Sequence, residues 1–370
     1  MEAAPVPQID KTRLLSLDVF RGATVAAMIL VNNPGDWGHI YAPLEHSVWN
    51  GCTPTDLIFP FFLFMVGVSI VYAMQSKGAD KANHPKMILS AFKRCLILIV
   101  ISLLTQIIFH GIDHLRFPGV LQRIGVVFFI CTLLYLKTSQ KTRDWLFAIF
   151  LISYYIIMAF VPVPDTGVAS LDPTTNMGAW LDRMVFTPDH LWAESHIWDP
   201  EGLLGTLPAI VTGLFGIRVG EWLKRKDHEP ATKVTWMFVC GFAAIVLGLF
   251  WGLFFPINKA LWSSTFVLYT GGWATVTLAT CYWLIDVKGH SKLASFFVPF
   301  GMNAITAYVL SNFVPHYLNK LRFEGKSIFE LLYAPFFSPF NASLISAIVL
   351  VLLIWLLMWV LYLRKIIIKV

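Results

Sequence analysis

Charge is what this sequence has least of. Only 14% of its 370 residues are Asp, Glu, Lys or Arg, against about a quarter in an ordinary soluble domain. With 57% apolar residues, that scarcity excludes a water-exposed surface of the usual kind. Cysteine is scarce as well: five residues, no CxxC, and four of them (Cys95, Cys131, Cys240, Cys281) inside hydrophobic runs. The cysteines read as packing residues, and neither a disulfide framework nor any metal site is expected. Also missing are the phosphate-binding P-loop, the dinucleotide glycine fingerprint, HExxH and GxSxG. The usual soluble nucleotide, zinc-protease and serine-hydrolase chemistries go with them. No repeat, heptad or low-complexity tract appears, and the longest loop, Val163–Glu201, is too short for a domain of usual size. Residues 1–370 read as one domain.

What is present is a series of apolar runs long enough to cross a bilayer. They lie near 14–33, 53–75, 88–109, 119–137, 144–162, 202–222, 234–256, 263–286, 293–317 and 341–363. The expected fold is all-α and polytopic, with about ten transmembrane helices. The first run carries Asp18 and Arg21 and has no small-residue cleavage site, so it reads as a retained helix and not a signal peptide. Loop Lys and Arg residues divide nineteen to one side and six to the other, which places both termini in the cytoplasm. This asymmetry accounts for the net charge of +6 without a nucleic-acid partner; the partner is the lipid bilayer. A homodimer is compatible with the sequence. The short N-terminus without a sorting signal fits a bacterial inner membrane.

Ionisable residues in or beside spans are functional candidates. On the first span, Asp18 and Arg21 share a helical face near its cytoplasmic end. They read either as a structural ion pair or as a cation for a phosphate entering from the cytosol. The loop after that span carries His39 and His46 near Asp36, Glu45 and Trp49. His46 lies between two spans whose facing ends carry Asn32 and Asp56; His39 has no such support and reads as a surface residue. Gln122 and Arg123 fall near the same outer level. So does the segment Trp198–Gly202, where Asp199 reads as a helix N-cap before Pro200. Asp199 and Glu201 are also carboxylates fit to bind a cationic amine or a sugar hydroxyl. Gly271 and Gly272 in the eighth span, and Asn303 in the ninth, mark either close helix packing or a passage lined by backbone.

Seven segments, in order, resemble one family. They are Arg13–Gly22 (RLLSLDVFRG), Val31–Asn32, His46–Gly51 (HSVWNG) with Asp56–Pro60 (DLIFP), Pro118–Gly125 (PGVLQRIG), Asp199–Gly205 (DPEGLLG), Asp286–Gly289 and Gly301–Ile305 (GMNAI). The likeness to heparan-α-glucosaminide N-acetyltransferases and their bacterial relatives covers nearly the whole chain. It implies acetyl transfer across the membrane, from cytosolic acetyl-CoA to the amine of a glucosamine-type sugar outside. It also places the family's essential histidine on His46 and its supporting asparagine on Asn32.

The residue chemistry suits that reaction. An amine must lose a proton to become an amide, and imidazole titrates near pH 6.5, at about the right strength. An asparagine N–H can stabilise the oxyanion. Arg13, Arg21 and the loop lysines would meet the CoA phosphates, and Gly271, Gly272 and Asn303 would line the path of its arm. Asp199, Glu201, Asp56, Gln122, Arg123 and Trp49 are the expected acceptor-binding set. In a competing mechanism His46 itself carries the acetyl group. Two other readings stay open: a permease for amino sugars or muropeptides, and O-acylation of an envelope glycan.

Overall fold

The computed structural model describes residues 14–368 apart from 75–77, 79, 113–114, 291, 293–294 and 324. It is almost wholly helical. The main helices are α1 (Leu15–Asn32), α2 (Ile58–Met74), α3 (His84–His110), α4 (Val120–Lys137) and α5 (Gln140–Phe160). After a short loop helix, α6 (Met177–Phe186), come α7 (Thr206–Lys224), α8 (Pro230–Trp251) and α9 (Ser264–Cys281). The chain then forms α10 (Val298–Met302), α11 (Ala304–Leu318), a hairpin of two two-residue strands, α12 (Ile328–Leu332) and α13 (Pro339–Leu363).

Among the described residues seven helical segments are long and apolar enough to cross a membrane: α1, Pro54–Met74, Lys81–Phe109, α4, α5, α8 and α13. The protein is an integral membrane protein on that count. Three of the ten expected spans do not qualify by themselves, for two physical reasons. Helices α7 and α9 are interior: most of their residues are buried, many of them Gly, Ala or Thr. A helix sheltered from lipid by other helices gains packing from small residues and does not need apolar bulk. The ninth run is broken at Asn303, whose backbone (φ −124°, ψ 42°) separates α10 from α11.

Close approach sets the core. A Cβ on Gly67 would sit 2.0 Å from the Gly213 carbonyl oxygen, and one on Gly216 1.9 Å from that of Phe64. Helices α2 and α7 thus meet backbone to backbone. Gly216→Val is expected to push them apart at a cost of about 1–3 kcal/mol, read as a lower unfolding midpoint in detergent. An unchanged midpoint would refute this contact.

Past α9 the helix widens into a π-helical stretch, Tyr282–Val287. This turns the Asp286 carboxylate toward the start of α1, where it accepts from the N–H groups of Leu15 (3.3 Å) and Ser16 (3.1 Å). Those N–H groups have no partner within their own helix.

Candidate active site

The loop between α1 and α2 is organised by Asp56. Thr53-Pro54-Thr55-Asp56 forms a capping box at the head of a 3₁₀ turn leading into α2. One carboxylate oxygen, Oδ2, accepts from the N–H of Thr53 (2.9 Å) and of Ser47 (3.1 Å) and from the Thr53 hydroxyl (3.1 Å). The other, Oδ1, lies 2.7 Å from Nδ1 of His46. Asp56 is fully buried, whereas the His46 side chain is 49% exposed. An ionised carboxylate only accepts. When Nδ1 carries the proton that this carboxylate accepts, Nε2 is the nitrogen left to act as a base.

A third group, Lys259, comes from the loop between α8 and α9. Its Nζ lies 2.9 and 3.2 Å from the two ring nitrogens of His46, and 3.5 Å from Asp56 Oδ1. Near-equal distances to both nitrogens place it over the ring face. The two loops are clamped together: Gly51 N–H donates to the Ile257 carbonyl (2.7 Å), and the Asn258 amide to Asn50 Oδ1 (3.2 Å). Burial pulls the Lys259 ammonium below its usual range, opposed by Asp56 and Glu201. The neighbouring Cys52 thiol is pushed up to about 12, by burial first and then by the Asp56 charge. It is therefore no thiolate nucleophile at neutral pH.

Asn32 ends α1, is exposed, and belongs to the helix that packs against the turn bearing Asp56. Trp49 donates its indole N–H to the Leu171 carbonyl (3.1 Å) and meets Trp198 edge to face. Beneath these rings burial raises the Asp182 carboxyl to about 7, against the N–H it accepts from Leu203 (2.8 Å). His39 pairs with Asp36 (2.7 Å).

Several expected roles change. Asp199 does not cap a helix: α7 begins at Thr206, and Asp199 instead accepts from Glu201 N–H two residues on (2.9 Å). The carboxylates of Asp199 and Glu201 do not await a cationic amine, because Arg116 bridges both, donating to Asp199 at 2.5 and 2.7 Å and also to Glu201. Arg123 is buried and donates to the carbonyls of Pro200 (3.0 Å) and Gly202 (2.8 Å), with its guanidinium over the Trp262 ring. It pins the 199–202 segment and does not face an acceptor. Gln122 is buried with neither amide atom partnered.

At the opposite end of α2, a cavity of about 660 Å³ opens between α1, α2, α3, α4 and the α10–α11 junction. Arg21 lines it, bonded to Asp18 (3.2 Å), Ser69 Oγ (2.6 Å) and the Gly301 carbonyl (3.3 Å). Gly271 and Gly272 are not on its wall. A Cβ on Gly271 would strike the Phe215 ring (2.2 Å), and one on Gly272 the Gly241 carbonyl (2.6 Å), so both serve helix packing. The side chain of Asn303 is likewise occupied. It donates to the Ile366 carbonyl (3.1 Å) and accepts from Ile368 N–H (2.9 Å), holding the tail that walls the cavity with Ile367 and Ile368. Arg13 lies outside the described residues. Lys259 and Arg116 were missed because each stands alone in sequence, in loops without a motif.

A family model described as "Heparan-alpha-glucosaminide N-acetyltransferase, catalytic" matches residues 13–240. The chain belongs to this family. The match takes in His46, Asp56 and most of the cavity wall, while Lys259 lies beyond it. Among curated proteins, the heparan-alpha-glucosaminide N-acetyltransferase of Mus musculus is 30% identical over 362 residues, covering 82% of this chain and 54% of the relative. That of Homo sapiens is 29% identical over 355 residues, covering 80% and 52%. The chain spans about half the length of these relatives.

Proposed function

We propose that this protein is a transmembrane N-acetyltransferase, taking acetyl from acetyl-CoA at the cytoplasmic end of the bundle. The acceptor is the amine of a glucosamine-type sugar at the His46 end, as the names of the relatives indicate. One observation carries the reading: a histidine–aspartate pair at one end of α2 and a cation-lined cavity at the other. Phe62, Val66, Ser69, Ile70, Ala73 and Met74 line the cavity along α2. The twelve steps from Phe62 to Met74 amount to about 18 Å of helix at 1.5 Å per residue. Phe62 then stands six residues from Asp56. A donor bound through its phosphates reaches toward His46 without crossing the whole bilayer core, about 30 Å thick.

In this mechanism His46 Nε2 takes a proton from the attacking amine as the new N–C bond forms. The C–S bond then breaks, and the same imidazole returns the proton to the departing thiolate. Asp56 holds the ring and its tautomer throughout. Lys259 balances the Asp56 charge and adds a cation where the oxyanion develops, and Asn32 supplies an N–H to it. Arg116, Arg123, Asp199 and Glu201 act as the frame beneath the acceptor surface. The asymmetry of Lys and Arg supports a non-cytosolic His46 end, which in a bacterium is the outer face of the inner membrane.

The test is CoA release from acetyl-CoA by purified protein, with and without glucosamine. Glucosamine-dependent release with formation of N-acetylglucosamine is expected. No release with any amino sugar, while labelled sugar still enters proteoliposomes, would replace the enzyme with a permease.

A further inference from the structure

Among the described residues, the arginines withdrawn from solvent each have hydrogen-bond partners, with one exception. Arg21 has Asp18 and Ser69; Arg116 has Asp199 and Glu201; Arg123 has two carbonyls; Arg143 has Glu221 and the Thr138 carbonyl. Arg94, on α3, has no carboxylate partner among the described residues, and its buried Nε has no hydrogen-bond acceptor. Its guanidinium rests on the Phe128 ring, 4.6 Å from the centroid. An aromatic face offsets only part of the cost of withdrawing a cation from water.

Arg94 and Arg21 line the 660 Å³ cavity together with Lys93, and among the described residues no Asp or Glu lines it. Three cations without a lining carboxylate make a site for an anion. The rest of the wall grades from Ser69 and Ser90 to apolar Phe62, Val66, Leu98, Ile124 and Ile305. Such a wall suits a ligand with an anionic head and a long neutral arm.

We propose that Arg94 is the phosphate-recognition residue of this cavity, and that its anion is the diphosphate of a coenzyme A thioester. This rests on the acetyl-transfer reading above. Arg94 donates from its planar guanidinium to the phosphate oxygens, and Arg21 and Lys93 add charge. The residue then sets specificity for the nucleotide-bearing donor over a bare pantetheine thioester. An anionic lipid headgroup offers the same phosphate chemistry from a different source, so the experiment separates the two.

The experiment measures calorimetric binding of CoA and of phosphate-free pantetheine to the full chain in phosphatidylcholine nanodiscs. Arg94→Gln is expected to weaken CoA about ten- to a hundred-fold, in line with loss of charge-assisted bonds, and to leave pantetheine unchanged. Arg94→Lys should fall between. Because Arg94 has no partner among the described residues, Arg94→Gln and Arg94→Met should melt no lower than the parent without CoA. Equal CoA affinity in parent and Arg94→Gln would overturn the proposal. So would a lower melting point in both variants, which would make Arg94 a packing residue. Phosphatidylglycerol displacing CoA from the parent but not from Arg94→Gln would give the site to lipid. Binding needs no turnover: CoA bound through Arg94 without acetyl transfer would sink the enzyme reading alone, and transfer with normal CoA affinity in Arg94→Gln would sink this one alone.

Discussion

His46→Ala is expected to reduce acetyl transfer by about two to four orders of magnitude, the usual contribution of a positioned acid–base group, with CoA affinity unchanged. The separation of effects follows from geometry: His46 stands at the end of α2 away from the cavity wall. His46 is half exposed and bonded through one nitrogen to Asp56, so its removal leaves no buried void. The unfolding midpoint should stay within a degree or two of the parent, as for a surface substitution. The measurement is initial CoA release at saturating acetyl-CoA and varied glucosamine, with calorimetric CoA binding alongside. Turnover within threefold of the parent would remove His46 from the chemistry. A labelled acetyl group trapped on His46 without acceptor would convert the base into a nucleophile.

Asp56→Asn carries the second large effect, and it acts through the histidine. In the parent, one carboxylate oxygen serves the loop N–H groups of Ser47 and Thr53 while the other serves His46. An amide offers a single acceptor oxygen. If that oxygen stays with the loop, the amide N–H₂ faces Nδ1 and forces the proton onto Nε2, where the base should be free. A fall in kcat of about a hundred- to ten-thousand-fold is expected, as for a misdirected catalytic imidazole, with KM for acetyl-CoA little changed. The variant also leaves Lys259 without its carboxylate. Lys259→Met in the same background should then restore thermal stability but not rate. Full rate in Asp56→Asn would show that the pairing with His46 is incidental.

Much of the site was legible locally. Thr53–Asp56 announces a capped turn, and His46 stands ten residues before Asp56 in the same loop, so the two are kept close by chain connectivity. The role of Asp56 was not legible. As an isolated carboxylate it reads as an acceptor-binding group, and only the fold of the loop back onto the turn makes it the partner of His46. Gly271 and Gly272 illustrate a related ambiguity: small residues in a span serve a lined passage or a tight crossing equally well, until the neighbouring helix is known.

Insertion into a membrane is an additive property of consecutive residues, so the sequence alone determined an apolar, helical, many-spanning chain, and its ordered motifs determined the family. Which charges meet was decided only by tertiary structure. Lys259 reaches His46 across 213 positions, Arg116 reaches Asp199 across 83, and Asp286 reaches Ser16 across 270. Hydrogen bonds and ion pairs act over about 3 Å, a distance that sequence separation does not encode. The same packing left Arg94 without a counter-charge among the described residues, which is the basis for the anion site we propose in the wall of the bundle.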